Sequence, residues 1–427
     1  MKKRKLYPIQ KLSCFPENGV YSPGLAGAVR IDGKIDKNKL EEVINNIVLN
    51  NDAFSFRFEY SENDNEIYQY TSENTGYKLD ERKACGNTDA ERLQNVRDQI
   101  AEVRRFSVEN NFKGTIPWNI ILFDMGDDDH ILYVRVIHLI SDGMSMGILM
   151  KSIVSGYNGM PLTEAVGVTK FIEDFDEMIN SGELAAQLEK YDDLIKGHIA
   201  YKPFLKIPEY DERNYAKYGE FVTLKKEKLD EVCRKNRLSF FHVTLIMAHT
   251  MFSLLHGRSE TRLTIPVGTR KKKYMATIGL LSEMYFSRIE LDDSKTMLEN
   301  ALMCRDLNLR EVRTSPIMPY VITENALPIE CVISYQSYIT NFNEVIPFGE
   351  AKAKTFSDMA LMDYYYSNFL CISAVETDTE IRLTLRNDGM LMNNEQEAEG
   401  IKIFNAVYDC LTKQDMTFAE LKRQFSK

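Results

Sequence analysis

The chain has 427 residues, 44% of them hydrophobic and 27% charged, the make-up of a folded protein with room for two or three domains and a large core. That balance excludes a mainly disordered chain, a collagen-like repeat and a small disulfide-stapled scaffold. Lys and Arg number 53 against 63 Asp and Glu, a net charge of −10, which argues against a general nucleic-acid coat because phosphate binding needs a positive field.

The amino-terminal Met1-Lys2-Lys3-Arg4-Lys5 is basic, but no apolar run follows it, so no signal peptide is expected. No apolar run approaches the length of a membrane span, so no membrane association is expected. Gly27 to Ile31 reads as a strand, Asp32-Gly33 as a turn, and Asp36 as the cap of a helix through Leu40, Val43, Ile44, Ile47 and Val48. Phe54, Phe56 and Phe58 alternate with polar residues, which predicts a strand. A helix is expected over 89–106, then strands over 117–123 and 131–138 joined by the acidic turn Gly126-Asp127-Asp128-Asp129, then a helix over 143–156. Residues 169–200 read as exposed helix and carry the domain boundary. Beyond it, Phe241 to His256 reads as an apolar helix, and 263–267, 331–335, 369–375 and 381–385 as strands. Ile401 to Leu411 reads as a last helix. This is an α/β chain of two lobes, residues 1–175 and 176–427.

The seven cysteines (Cys14, Cys85, Cys233, Cys304, Cys331, Cys371 and Cys410) are scattered and odd in number, with no C-x-x-C pair, as expected of reduced thiols in the cytoplasm. The basic run Arg270, Lys271, Lys272 and Lys273 reads as a solvated loop or, alternatively, as a phosphate contact.

The segment from Val134 to Gly143 is the sharpest candidate for chemistry. His138 ends a predicted strand, and Asp142 follows four residues later, before Gly143 and a helix. A lone histidine here could be a satisfied core residue. At a strand end beside a carboxylate it is also a plausible general base. An overlapping G-x-S-x-G, Gly143 to Gly147, has the spacing of a hydrolase nucleophile elbow, but Leu139 to Asp142 separate Ser145 from the strand and the last histidine is His256. His242, His249 and His256 repeat every seven residues. That spacing is about 10.5 Å along a helix, too far to share one ion, so no metal site is expected. Met144, Met146 and Met150 could line an acyl pocket, since thioethers adapt to irregular apolar ligands.

At these residues the chain resembles the condensation domains of nonribosomal peptide synthetases and, more broadly, the chloramphenicol acetyltransferase-like acyltransferases, whose motif is H-H-x-x-x-D-G. His138, Asp142 and Gly143 match it, and Ile137 stands for the first histidine. The similarity continues in order through Tyr7-Pro8, Ile31 to Ile35 with Leu40 and Asp52, Arg105-Phe106 with Pro117, Tyr191 to Gly197, Gly268-Thr269-Arg270 with Ile278-Gly279, and Ser334-Tyr335-Gln336. It departs at Ser55, where the family places the arginine that pairs with the motif aspartate. Arg57, about 7 Å further along the strand, or another cation is expected to take over that pairing. Ser337 replaces an asparagine, and Glu283-Met284 stand near a usual V-N.

The resemblance implies a V-shaped pseudo-dimer of two lobes with His138 in a central tunnel. It implies acyl transfer from a phosphopantetheine thioester, on an acyl or peptidyl carrier protein or on coenzyme A, to a small amine or alcohol. His138 would act as general base or positioning residue, Asp142 would hold the turn and the imidazole, and Gly143 would let the backbone approach closely. Arg270, Lys271 and Lys272 would meet the phosphate. No cofactor is expected to be tightly bound. No adenylation or carrier segment is expected in the same chain, so partners would act in trans. A degenerate, non-catalytic carrier-binding protein is the alternative that Ile137 and Ser55 favour.

Overall fold

Gly33 adopts φ 118°, a conformation that suits glycine, and its amide donates to Asp128 O at 2.8 Å, so the first predicted turn forms where expected. In the computed structural model, which describes residues 3–14, 22–205, 217–268, 270–336, 345–356, 369–387 and 391–425, the strand before that turn is Gly24–Asp32. The helix after it is Lys37–Leu49, capped by the Asp36 carboxylate, which accepts from Lys39 N. The five predicted apolar positions of that helix are all buried.

The chain divides into two compact units. One comprises Met1–Glu183, Gly268–Ser282 and Thr340–Tyr364, and the other comprises Leu184–Val267, Glu283–Ile339 and Tyr365–Lys427. Two segments from the second half of the sequence therefore belong to the first unit, a feature that one cut after residue 175 does not carry.

In the first unit, a six-stranded sheet runs in the order Val345–Phe348, Ala351–Thr355, Gly24–Asp32, Asp129–Ile137, Trp118–Gly126, Asp80–Lys83. Strand Asp129–Ile137 sits inside this sheet, antiparallel to both neighbours. The hairpin that feeds it turns through Asp127 and Asp128 at φ 53° and 60°, the left-handed pair that a tight hairpin needs. Ile131 and Tyr133 face the helix Asp89–Asn110, whose Val96, Ile100 and Val103 cover them. The return hairpin at 345–355 is fixed by local fit. The Phe348 ring stacks on Tyr157 at 4.1 Å, and Asn158 donates to Pro347 O and accepts from Gly349 N. Phe54 lies in a short 3-10 turn, Asp52–Ser55, before the strand Phe56–Ser61, so the predicted strand starts two residues late. Asp52 explains the turn: its carboxylate accepts from Val168 N and Thr169 N, capping the helix Val168–Asn180 from 116 positions away.

In the second unit, another six-stranded sheet runs Glu283–Glu290, Glu260–Val267, Cys331–Gln336, Leu370–Glu376, Glu380–Asn387, Lys217–Lys225. The helix Phe240–His256 is buried from Val243 to Ser253. Apolar side chains run round the whole helix because it is covered on all sides, and its buried Thr244, His249, Thr250 and Ser253 each make a hydrogen bond. All seven cysteines are free thiols, and among the described residues no single helix is long and apolar enough to cross a membrane.

Candidate active site

Strand Asp129–Ile137 ends in a 3-10 turn, His138–Ile140, which leads through Ser141 and Asp142 into helix Gly143–Tyr157. The turn is held at its start, where His138 N donates to Pro23 O at 2.7 Å. Ile137, in place of a histidine, is fully buried opposite Gly24. His138 is half-buried, and its Nδ1 is sealed from solvent with no side-chain partner among the described residues; the ring lies against the backbone of His138 and Ser141. Burial holds its imidazole below the ordinary histidine value. The backbone of His138, the charge of Asp142 and the backbone of Ser141 oppose that shift.

Asp142 contrasts with this completely. Its Oδ1 accepts from Ser145 N at 2.8 Å and from Arg270 Nη2 at 2.5 Å. Its Oδ2 accepts from Leu281 N at 2.9 Å and Ser282 N at 2.8 Å. Arg270 also donates to Ser145 Oγ at 2.8 Å and to the Thr277 carbonyl. The side chains of Asp142 and Arg270 are 4% and 1% exposed. Asp142 is thus an N-cap, half of a buried ion pair, and the clasp for both ends of the segment 270–282. None of its hydrogen bonds reaches His138, so the expectation that it holds the imidazole directly is corrected: its effect on the ring is Coulombic.

The pairing expected of Arg57 or another cation is met by the second option, and a further expectation changes. The cation that pairs with Asp142 is Arg270, 128 positions away, while Arg57 donates to the carbonyls of Phe54 and Phe56. Arg270 therefore cannot be a free phosphate contact, because its guanidinium is buried against a carboxylate. Lys271 and Lys272 remain exposed with no ion pair among the described residues, and Lys273 pairs with Asp174. Gly143 is exposed, and a Cβ there would meet no neighbouring atom within 4 Å, so no close approach by the protein's own backbone requires this glycine.

Ser145 is not a nucleophile elbow. It is fully buried in the first helical turn, donating to Gly279 O and accepting from Gly279 N and Arg270. Met146 and Met150 lie over Gly27, about van der Waals distance from where a Cβ would stand. Met144 Sδ approaches Gly268 in the same way. Of the three helical histidines, His242 interacts with Ser239 at the helix start, His249 with Thr261 and Ser287, and His256 stacks with Phe252. Among the described residues no cluster could hold a metal ion. Thr269 and Ser337, both part of the sequence comparison, lie outside the described residues.

A family profile described as "Condensation domain" matches residues 16–385. The chain belongs to the condensation domain family. Bacitracin synthase 3 of Bacillus licheniformis is 20% identical over 430 aligned positions, covering 96% of this chain but only 6% of the synthase. A condensation domain is thus a small part of that relative. Among solved structures, the SgcC5 protein from Streptomyces globisporus superimposes with a TM-score of 0.76 at 15% identity, over 95% of this chain and 99% of that one. The X-domain from teicoplanin biosynthesis gives 0.77 at 13% identity, over 97% and 96%. At such identities the structural likeness establishes the fold, a mixed α/β architecture with one six-stranded sheet in each unit.

Arg270, Ser145 and Asp52 are the positions in this condensation domain whose roles sequence reasoning missed. Arg270 was visible only as a charge in a basic run, and its burial depends on a segment that returns from the far half of the chain.

Proposed function

We propose that this condensation domain transfers an acyl group from a phosphopantetheine thioester to an amine or hydroxyl acceptor, with His138 as general base or positioning residue. The observation that carries the reading is the contrast within one motif: Asp142 is saturated with structural bonds, while His138 has no side-chain partner at Nδ1. A histidine kept largely neutral by burial is suited to accept a proton near neutral pH. In this scheme the acceptor nitrogen or oxygen attacks the thioester carbonyl, and His138 takes up its proton through Nε2. The tetrahedral intermediate collapses, the carbon–sulfur bond breaks, and the proton passes to the departing thiol. Asp142 and Arg270 hold the turn and the loop around it. Met144, Met146 and Met150 supply adaptable apolar surface for the acyl chain.

The donor is an acyl or peptidyl carrier protein, with Lys271 and Lys272 as its landing charges. Acyl-coenzyme A is the competing donor of the same chemistry. A second reading, a carrier-binding protein without turnover, is favoured by Ile137 in place of the first motif histidine. Mass spectrometry of products from matched acyl-carrier and acyl-coenzyme A donors, each offered to a panel of amines and alcohols, tests these readings. Product from the carrier donor supports the proposal, product from coenzyme A alone moves the donor, and binding of the carrier without product establishes the second reading.

A further inference from the structure

The turn that carries His138 is gripped by side chains that belong to no part of the motif. Gln10, in the short helix Pro8–Leu12, donates from Nε2 to Leu139 O at 3.0 Å, inside the turn His138–Ile140. The same nitrogen donates to Gln69 Oε1 at 3.1 Å, and Gln69 Nε2 donates back to Gln10 Oε1 at 2.7 Å. Gln10 Oε1 also accepts from Tyr7 N at 3.2 Å, and Gln69 Nε2 reaches Lys5 O at 3.4 Å. Gln10 and Gln69 are 1% and 0% exposed.

Both N–H groups of the Gln10 amide and both lone-pair sites of its oxygen are therefore used. A buried primary amide with every bond made has one orientation, whereas an apolar pair of equal volume would pack there without fixing any carbonyl. The adjoining residue of the same helix start, Tyr7, donates its hydroxyl to Leu280 O, next to Leu281, whose amide binds Asp142. One short helix thus anchors both the histidine turn and the loop that Asp142 clasps. This matters because His138 Nδ1 has no side-chain partner among the described residues, and the ring meets the backbone of His138 and Ser141 instead. With no side chain steering the ring, its direction depends on the backbone beneath it.

We propose that Gln10 is a positioning residue for His138, acting through the Leu139 carbonyl, and that Gln69 orients Gln10 for this task. The proposal rests on the acyl-transfer reading for its effect on rate, but not for its effect on the imidazole. Gln10→Met keeps the volume and removes the donor to Leu139, while Gln69→Met keeps that bond and removes its orienting partner together with the longer contact to Lys5 O.

The test combines thermal melting, steady-state kinetics and histidine-ring NMR of the full chain. The protein has six histidines, and the spectrum of His138→Ala assigns the signal of interest. In Gln10→Met, kcat is expected to fall about tenfold with donor KM within about twofold, since a small displacement of a reacting group is costly. The His138 ring signals should shift or broaden while those of His249 stay in place. Gln69→Met should show the same changes in smaller measure, and it carries the test if Gln10→Met does not fold. Unmoved His138 signals in a folded variant, or an unchanged kcat in an active one, would overturn the proposal. If no donor gives turnover even with the wild type, the acyl-transfer reading fails and the ring signals alone still decide the link between Gln10 and His138.

Discussion

His138 in the first unit and His249 in the second are both held below the ordinary histidine range by burial, yet they are built for different ends. His249 is fully buried and uses both ring nitrogens, Nδ1 with Thr261 Oγ1 at 2.7 Å and Nε2 with Ser287 Oγ at 3.0 Å. Burial alone pushes it down to about 3. Its neighbours close the ring in, and nothing is left for a ligand to engage. His138 keeps some exposure and has no side-chain partner at Nδ1 among the described residues. Burial therefore does not distinguish a structural histidine from a functional one. What sets His138 apart is its place in the turn before Asp142 and the exposure it keeps.

The largest way to break this comparison is His138→Ala. Turnover should fall about 10²–10⁴-fold if the residue is a general base, with a melting curve close to wild type. Retained turnover would place His138 with the structural histidines. Next is Asp142→Ala, which leaves Arg270 buried and uncompensated. A loss of about 3–5 kcal/mol is expected, read by urea unfolding. A loss near that of an exposed pair, about 1 kcal/mol or less, would show that the pair is hydrated in solution.

His249→Ala should have the opposite profile from His138→Ala. It strands two buried hydroxyls at a cost of about 1–3 kcal/mol each, while turnover per folded molecule stays near wild type. The pH dependence sharpens the contrast. His249 has its folded value depressed to about 3 from an ordinary 6.5. Above pH 6.5 it is neutral in both states and its contribution is fully present. As pH falls towards 3 the unfolded chain takes up the proton first, so stability declines, by at most about 1.4 kcal/mol per pH unit. Urea titrations of wild type and His249→Ala across pH 3–7 measure that slope, which the variant should lose. The activity profile belongs to His138 instead: kcat/KM should rise through an apparent value below the ordinary histidine range. The smallest effect is expected from Lys271→Glu with Lys272→Glu. Folding should be unchanged, and the KM for an acidic carrier should rise roughly fivefold, less so at high salt. An unchanged KM would remove these lysines from the docking surface.

Much of the first unit was legible because its signals are local. Asp36 caps the helix it precedes, Leu40 to Val48 repeat at helical spacing, and Asp127-Asp128 make the hairpin that leads to His138. The motif itself was readable as a strand end, a turn and the start of a helix. The hairpin at 345–355 and the exposed role expected of Arg270 were not. The strand Ala351–Thr355 alternates buried alanine with exposed lysine, but it is only five residues long and built from weak strand formers, and its place beside Gly24–Asp32 depends on the hairpin anchored by Phe348 on Tyr157 and Pro347 on Asn158. Arg270 in a run of lysines reads as solvated until Asp142 is seen to bury it.

By itself, the sequence determined where many of the helices and strands and the histidine turn lie, because propensity, capping and side-chain alternation act over a few residues. It also determined the family, through motifs arranged in order along the chain. Only the tertiary structure decided which cation meets Asp142, which amides hold the turn, and how each histidine ring is enclosed. Those outcomes depend on desolvation and on groups brought together from distant positions, and neither is encoded in local spacing.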